Sequence, residues 1–138
     1  MTNEDKQLLL KDLSARLPYG VICKVEFKDS EGWKIQNMSL KGVFINECYF
    51  TSDTGSICSK EFKPYLRPMS SMTEEEKRRF YDICTTLAED KCHFIMEGFI
   101  DSNFMLKKFS YLNSIHVDYR GLIPKDLAIK APKYMYKL

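Results

Sequence analysis

The distribution of apolar positions divides the chain into a half with strand periodicity and a half with helical periodicity. After an opening helical segment, apolar and polar residues alternate over much of residues 21–63. From residue 73 onward apolar residues recur mainly at intervals of three and four. Alternation is typical of half-buried strands, whereas intervals of three and four are typical of amphipathic helices. The pattern therefore predicts one α+β domain over residues 1–138.

The N-terminal segment, residues 1–20, is predicted to be a helix over residues 2–17. Thr2 or Asn3 can cap it, because their side-chain oxygens accept from backbone N–H groups of the first turn. Pro18 ends it, since proline disfavours helical geometry at the preceding residue. Its buried stripe consists of Leu9, Leu10, Leu13 and Leu17. Its solvent side is predicted to carry Lys6, Lys11, Asp12 and Arg16.

Residues 21–63 are predicted to form an antiparallel meander of four strands. The predicted strands are residues 21–28, 33–40, 43–50 and 56–62. Trp33 and Ile35 share one face of the second strand, and Lys41-Gly42 is predicted as a tight turn into the third. The sequence leaves open whether this sheet closes into a small barrel.

Residues 64–72 form a proline-bounded joint between the two halves. Pro64 and Pro68 each fix φ and lack a backbone donor, so the fourth strand is predicted to end by Lys63. Tyr65 and Leu66 are expected to pack inward, whereas Arg67 and the preceding Lys63 are expected to point to solvent.

The second half, residues 73–138, is predicted to be mainly helical with a short extended tail. Thr73 and Glu76 match a capping box, which marks the start of a helix that ends near residue 88 or 89. A second main helix is predicted over residues 104–115, and both are expected to pack on the sheet. Residues 91–100 fit a short strand or a loop, and Asp118 is expected to cap one short turn. Residues 127–129 are predicted as an edge strand.

The bulk properties exclude several classes of protein. The net charge of +2 provides no global field for nucleic acid or an anionic membrane. The N-terminus is polar and acidic, and no apolar run approaches the ~20 residues that span a bilayer. The chain is therefore predicted to be cytoplasmic, without a membrane partner.

The five cysteines are odd in number and form no CxxC pair, so no metal site and no cofactor are predicted. If the hairpin between the third and fourth strands is centred near Asp53, Cys48 lies opposite Cys58. The favoured interpretation is two reduced core thiols on adjacent strands, because a cytoplasmic compartment is reducing. A disulfide between them is the alternative.

Three segments of the chain carry a resemblance to a known family. They are residues 8–13 with 15–21, residues 63–76, and residues 118–123. In these segments the chain resembles a family of short uncharacterised proteins of gut bacterial genomes, often found in prophage-like or mobile-element regions. The resemblance implies an accessory protein of a mobile element, and it implies no chemical activity.

Hints of chemistry in the sequence are few. His116 and Asp118 could pair as a general base and its orienting carboxylate, but a residue at a helix end and a capping aspartate explain the same letters. The C-terminal segment interleaves basic and aromatic residues, which could make phosphate contacts and stack on bases. The candidate contact residues are Lys63, Arg67, Lys107, Lys108, Arg120, Lys133, Tyr134 and Tyr136.

The function that fits these observations best is a small non-enzymatic binding or protein-interaction module. Its expected partner is another protein or a second copy of the chain, engaged through an exposed apolar patch or an open sheet edge. A nucleic-acid-binding protein that uses the C-terminal basic and aromatic residues is one alternative. An enzyme of unrecognised type is the other.

Overall fold

The computed structural model describes residues 2–44, 47–96 and 102–136, with backbone only for residues 86–105 of that range. The α+β class and the N-terminal helix are confirmed. The helices are α1 (Asn3–Arg16), α2 (Glu74–Met96) and α3 (Ser102–Ser114). The strands are β1 (Ile22–Asp29), β2 (Gly32–Val43), β3 (Cys48–Ser52), β4 (Gly55–Ser59), β5 (Glu61–Leu66) and β6 (Ile129–Lys130). Short 3₁₀ turns, Leu17–Tyr19 and Met69–Ser71, follow α1 and β5.

The six strands form one mixed sheet in the order β4-β3-β2-β1-β5-β6. The first five strands pair antiparallel, and β6 adds parallel to β5. The predicted four-stranded antiparallel meander is therefore wrong in its strand number and in its last pairing. The segment predicted as one fourth strand is divided between β4 and β5, and β5 lies on the far side of β1.

The sheet is strongly curled. Strands β4 and β5 lie on opposite flanks of the β1–β3 block, yet only Lys60 separates them in sequence. Such a short connection requires the sheet to bend round until the end of β4 meets β1. The Ser59 hydroxyl group makes this contact by donating to the Glu26 carbonyl oxygen at 2.7 Å. Within the described residues the strand order remains linear, so the curled sheet does not close into a barrel and β4 keeps an open edge.

The prediction of a tight turn at Lys41-Gly42 is wrong, because strand β2 continues through both residues. The pairing of β2 with β3 shifts between Leu40 and Gly42, so Lys41 is the extra residue of a β-bulge. A bulge bends its strand and increases the local twist, which helps the sheet to curl. A Cβ atom at Gly42 would lie 3.4 Å from the Cβ atom of Tyr49, at the short end of ordinary van der Waals contact.

Strand β5 runs through Pro64, contrary to the prediction that the strand ends by Lys63. Pro64 pairs with Cys23 of β1 without interrupting the strand. The carbonyl group of Leu66, two residues later, accepts from the Ala131 N–H at 2.8 Å on the side away from β1. Because backbone groups two residues apart in a strand point the same way, the missing donor of Pro64 also falls on this outer side.

Cys48 and Cys58 do not face each other. Cys48 pairs with Ser59, and Cys58 pairs with Tyr49, one residue away from the register that would oppose the two thiols. A shift of one residue reverses the face of a strand side chain, so Cys48 is buried and Cys58 is exposed. Both thiols are free, which contradicts the disulfide alternative, and burial raises the pKa of Cys48 to about 11.

Helix α1 and the segment before β6 close the core of the sheet. Leu9 and Leu13 of α1 and Leu127 pack in one cluster with buried residues of the strands, among them Val21 and Phe50. A second cluster contains Met72, Leu112, Ile115 and Val117, with Phe80 of α2 against it. The described side chains of α2 and α3 therefore belong to a second core, and in this part of the chain the expectation that the two helices cover the sheet is not met.

The capping box is confirmed. The Thr73 hydroxyl group accepts from the Glu76 N–H at 3.1 Å, and the Glu76 carboxylate accepts from the Thr73 N–H at 2.8 Å. Helix α2 extends to Met96, so its predicted end near residue 88 or 89 is wrong. The strand-or-loop alternative is wrong for residues 91–96. The rest of that alternative, residues 97–100, lies outside the described residues. No described helix is long and apolar enough to cross a membrane.

Candidate functional site

A groove of about 660 Å³ lies between the joint and the C-terminal segment. We call it the joint groove. Its lining residues are Arg67, Pro68, Ser71, Thr73, Lys130, Ala131, Pro132, Lys133, Tyr134 and Tyr136. These residues come from two short segments that are distant in sequence, so the groove exists only because β6 lies beside β5.

The wall formed by the joint is held by Arg67. Its guanidinium group donates to both carboxylate oxygens of Glu76 at 2.8 and 2.7 Å. It also donates to the carbonyl oxygens of Ile115 at 3.1 Å and Ser71 at 3.0 Å. The hydrogen bond to Glu76 raises the pKa of Arg67 and lowers the pKa of Glu76 to about 2. The side chain is only 15% exposed, so the expectation that Arg67 points to solvent is wrong.

The wall formed by the C-terminal segment is fixed by backbone pairing. Ile129 and Lys130 pair with Tyr65 and Leu66 of β5, and the Ala131 N–H donates to the Leu66 carbonyl oxygen. The predicted edge strand, residues 127–129, overlaps the observed strand only at Ile129, since β6 is Ile129–Lys130. The Met135 N–H donates to the Pro132 carbonyl oxygen at 3.1 Å, which turns the chain back toward the sheet.

Tyr136 anchors the end of this segment between β1 and β5. The two strands pair as far as Cys23 and Pro64, and the hydroxyl group of Tyr136 takes the place of the next pair. It accepts from the Ile22 N–H at 2.9 Å and donates to the Tyr65 carbonyl oxygen at 2.7 Å. Burial raises the pKa of this phenol, so it stays protonated as a donor.

The aromatic ring of Tyr136 stacks on His116 with 3.7 Å between ring centroids. His116 is buried and lies in a left-handed backbone conformation at φ 62°. Burial, with smaller contributions from the positive charges of Arg16 and Arg67, lowers the pKa of His116 to about 4. The imidazole is therefore neutral near neutral pH.

The charge that the groove offers to a ligand comes from two lysines. No aspartate or glutamate lines the groove, and in the described part of the chain no ion pair joins Lys130 or Lys133 to a carboxylate. Tyr134 is 80% exposed, and the Lys133 ammonium lies 5.1 Å from the centroid of its ring. The groove thus combines two available cations with apolar faces of tyrosine and proline.

A buried ionic cluster lies beside this region and was missed by the sequence analysis. Asp12 and Arg16 of α1 were expected on the solvent side, and both are fully buried. The Asp12 carboxylate accepts from Arg16 Nε at 2.8 Å and from Arg120 Nη1 at 2.9 Å. Arg16 also donates to the Val117 carbonyl oxygen at 2.7 Å. The Cζ atoms of Arg16 and Arg120 lie 5.3 and 4.8 Å from the centroid of the Tyr119 ring.

The charged pair at an interval of four was the signal that could have found this cluster. An Asp–Arg pair at that interval lies on one helix face whether that face is buried or exposed to solvent. The sequence pattern alone therefore indicates an ordinary surface pair. Its burial depends on Val117 and Arg120, which are about a hundred residues away in sequence.

The structure gathers half of the predicted contact residues in the joint groove. The residues that line it are Arg67, Lys133, Tyr134 and Tyr136. Lys63 pairs with Asp126 at 3.0 Å in a separate cleft, and Arg120 pairs with Asp12. Lys107 is exposed on α3, and the Lys108 ammonium lies 5.7 Å from the ring centroid of Phe109 on the same helix.

His116 and Asp118 both serve the backbone. The Asp118 carboxylate accepts from the N–H groups of Leu122 at 2.8 Å and Ile123 at 2.9 Å, as a capping residue does. The backbone of His116 and Asp118 bonds to Arg67, which forms a parallel bridge with Val117. These contacts account for the Asp118 carboxylate. The His116 ring stacks on Tyr136, and its buried Nδ1 atom has no hydrogen-bond partner among the described residues.

The residues of these buried ion pairs come from three segments, residues 8–21, 63–76 and 118–123. Asp12 and Arg16 belong to the first, Arg67 and Glu76 to the second, and Arg120 to the third. A scan against protein-family models, a search of curated proteins and a search of solved structures each find no match.

Proposed function

We propose that the protein is a small non-enzymatic binding module that holds an extended acidic segment of a partner protein in the joint groove. The observation that supports this most is the pair Lys130 and Lys133, two ammonium groups in a groove that no carboxylate lines. Each can attract a carboxylate, and the prolines and tyrosines between them provide apolar contact for the rest of an extended chain.

The distribution of charge favours a peptide over a nucleic acid. Of the basic side chains that could follow a phosphate backbone, Arg67, Lys63 and Arg120 are already paired with Glu76, Asp126 and Asp12. Nucleic-acid binding gains its affinity from many phosphate contacts, roughly 6–10 in a strong case. Lys107 and Lys108 lie on α3, outside the groove lining. The two lysines that the groove does offer match an acidic peptide better.

The rigidity of the walls favours binding. Arg67 is held by four hydrogen bonds, and Tyr136 is held by two short ones between the strands. A surface that is ordered before its ligand arrives loses less conformational entropy on binding. The groove is therefore preorganised for an extended segment.

A selection from a display library of eight-residue peptides tests the proposal. Peptides enriched on the wild-type protein are expected to be rich in aspartate and glutamate. In fluorescence anisotropy titrations, the Lys130→Glu/Lys133→Glu variant should bind an enriched peptide at least about tenfold more weakly. Lys107→Glu, an exposed lysine outside the groove lining, is the matched control and should bind normally. Enrichment without acidic residues, or equal affinity of the charge-reversed variant, contradicts the proposal.

One observation favours a single-stranded nucleic acid as a second candidate ligand. Tyr134 is highly exposed and carries the Lys133 ammonium over its ring, an arrangement that suits stacking with a base and contact with a phosphate. Salt-dependent binding of an oligothymidine that Tyr134→Ala weakens would support it. Absence of binding at low salt would exclude it.

We also propose that the protein acts in the cytoplasm as an accessory protein of a mobile element. This rests on the family resemblance of residues 8–21, 63–76 and 118–123. The genes that flank the coding sequence test it, since phage or transfer genes should surround it. Flanking genes of core metabolism in several genomes would contradict it.

A further inference from the structure

Strand β4 presents an open and unprotected edge of the sheet. Within the described residues it pairs with β3 on one side only. Gly55, Ser56 and Cys58 are exposed, whereas Ser59 is buried where the sheet curls back onto β1. The accessible edge therefore spans residues 55–58.

This edge lacks the devices by which proteins prevent strand addition. Residues 55–59 contain no charged residue and no proline, and their pairing with β3 is continuous and without a bulge. Open edges are usually blocked by lysine, proline, a bulge or a covering segment. The other edge of the sheet differs, because β6 has only two residues and Pro132 follows shortly after it.

The hairpin geometry shows which backbone groups face the open edge. Strands β3 and β4 are joined by a two-residue loop, and Ser52 pairs with Gly55. Residues that flank such a loop exchange hydrogen bonds, and the bonded pairs then alternate along the ladder. Gly55, Ile57 and Ser59 thus direct their backbone groups to β3, and Ser56 and Cys58 direct theirs outward.

We propose that β4 pairs antiparallel with β4 of a second copy of this chain, with a two-fold axis at Ile57. In this register Ser56 of each copy lies opposite Cys58 of the other. Ser56 and Cys58 of each copy together direct two N–H groups and two carbonyl groups outward. In this register all four groups form hydrogen bonds with the other copy. A register centred on either of these residues would pair only one of them.

The charges next to the strand fit the same two-fold arrangement. Antiparallel pairing about Ile57 brings Lys60 of one copy opposite Thr54 of the other, next to Asp53. Asp53 and Lys60 are both exposed, so an opposite-charge contact can form at each end. Glu61, the following residue, has already turned into β5, where it pairs with Glu26. The strand itself is uncharged, so self-pairing opposes no like charges within it.

Cysteine crosslinking tests both the dimer and its register. A hydrogen-bonded antiparallel pair has a Cα–Cα distance of about 5.5 Å, which suits a disulfide. Under mild oxidation, Ser56→Cys should form a covalent dimer through Cys58 of the other copy, visible on a non-reducing gel. Ser56→Cys/Cys58→Ser retains a single thiol on β4, away from the two-fold axis, and should not form this covalent dimer. Lys107→Cys, on the exposed surface of α3, measures crosslinking by random collision.

Light scattering after size-exclusion chromatography measures the association without crosslinking. Wild-type protein should have twice the chain mass of 16.2 kDa at high concentration and dissociate on dilution. Ser56→Pro should be monomeric and folded, because the donor that proline removes faces outward rather than toward β3. Should Ser56→Pro fail to fold, Ser56→Lys/Cys58→Lys places lysines opposite each other and should be monomeric.

Three outcomes would overturn this inference. The first is a wild-type protein that remains monomeric at every concentration. The second is a dimer that persists in the folded edge variants. The third is an Ser56→Cys variant that crosslinks no faster than Lys107→Cys. The dimer edge and the joint groove are separate surfaces, so none of these results bears on the peptide proposal.

Discussion

Arg67 and Glu76 form a two-pronged ion pair that fastens the joint to the first turn of α2. The two guanidinium nitrogens lie 2.8 and 2.7 Å from the two carboxylate oxygens, and both side chains are mostly buried. The same carboxylate completes the capping box with Thr73. One glutamate therefore fixes both the start of the helix and one wall of the joint groove.

Replacement of Arg67 by alanine should destabilise the protein by about 3 kcal/mol. The substitution leaves Glu76 partly buried without its cation and removes donors from two carbonyl groups. Urea unfolding followed by circular dichroism measures the change. Arg79→Ala is the matched control. Arg79 pairs with Glu75, and both side chains are more than half exposed, so the loss of stability should be under about 1 kcal/mol. Equal losses in the two variants would contradict the structural role of Arg67.

The ion pair should also give the protein a distinct acid sensitivity. The folded-state pKa of Glu76 is about 2, against an ordinary value of 4.5, chiefly because Arg67 donates to its charged form. The stabilisation is therefore complete above pH 4.5 and is lost as the pH falls from there toward 2. Glu76→Gln keeps a capping box but has no charge to lose.

Urea midpoints measured across this acidic range provide the test. The wild-type protein should be more stable than Glu76→Gln near neutral pH, and the difference should shrink as the carboxylate protonates. A difference that stays constant down to the lowest pH would show that the charge of Glu76 does not contribute.

His116 should add a second pH dependence at higher pH. Its folded-state pKa of about 4 lies below its ordinary value of 6.5, chiefly because the ring is buried. Between these values the unfolded chain binds the proton more strongly, so stability falls as the pH decreases from 6.5 toward 4. The loss should amount to about 3 kcal/mol.

His116→Asn isolates this contribution, because asparagine tolerates the left-handed backbone and does not titrate. The variant should be less stable near neutral pH through loss of the stack on Tyr136. Its disadvantage relative to wild type should diminish as the pH falls toward 4. An unchanged difference would place the proton uptake on another group.

The elements that sequence alone predicted well are those whose signal is local. The capping box of Thr73 and Glu76 lies within four residues, and the leucine stripe of α1 requires only helical spacing. The topology of the sheet depends on contacts that the local pattern does not contain. The bulge at Lys41 resembles a Lys-Gly turn, and Pro64 resembles a strand end unless β6 is known to lie beyond it.

The candidate site shows the same division. Lys133, Tyr134 and Tyr136 could be named as candidates, because basic and aromatic residues alternate in the C-terminal segment. Lys130, the other lysine of the groove, was missed. Asp12 and Arg16 could not be named, since an acidic and a basic residue four apart are normally solvated. Their burial is decided by Arg120 and Val117, which lie beyond the reach of any periodicity.

Asp12→Asn should destabilise the protein by about 3–5 kcal/mol, because it leaves the fully buried Arg16 without a carboxylate. Arg120, which is partly exposed, can return to water and limits the loss. Asp12→Leu/Arg16→Met removes both buried charges and should recover much of the stability. Thermal unfolding of the two variants distinguishes these outcomes. A double variant no more stable than Asp12→Asn would indicate that the cluster fixes the packing of α1.

Tyr136→Phe should loosen the C-terminal wall of the joint groove without unfolding the protein. The substitution keeps the ring on His116 but leaves the Ile22 N–H and the Tyr65 carbonyl group without their partner, at a cost of about 1–3 kcal/mol. Because the hydroxyl group stands between β1 and β5, amide exchange at Ile22 should accelerate more than exchange in β2 or β3. Tyr134→Phe, which changes an exposed hydroxyl two residues away, should alter neither stability nor exchange. Uniform acceleration across the sheet in Tyr136→Phe would mean that the phenol supports the whole fold rather than this wall.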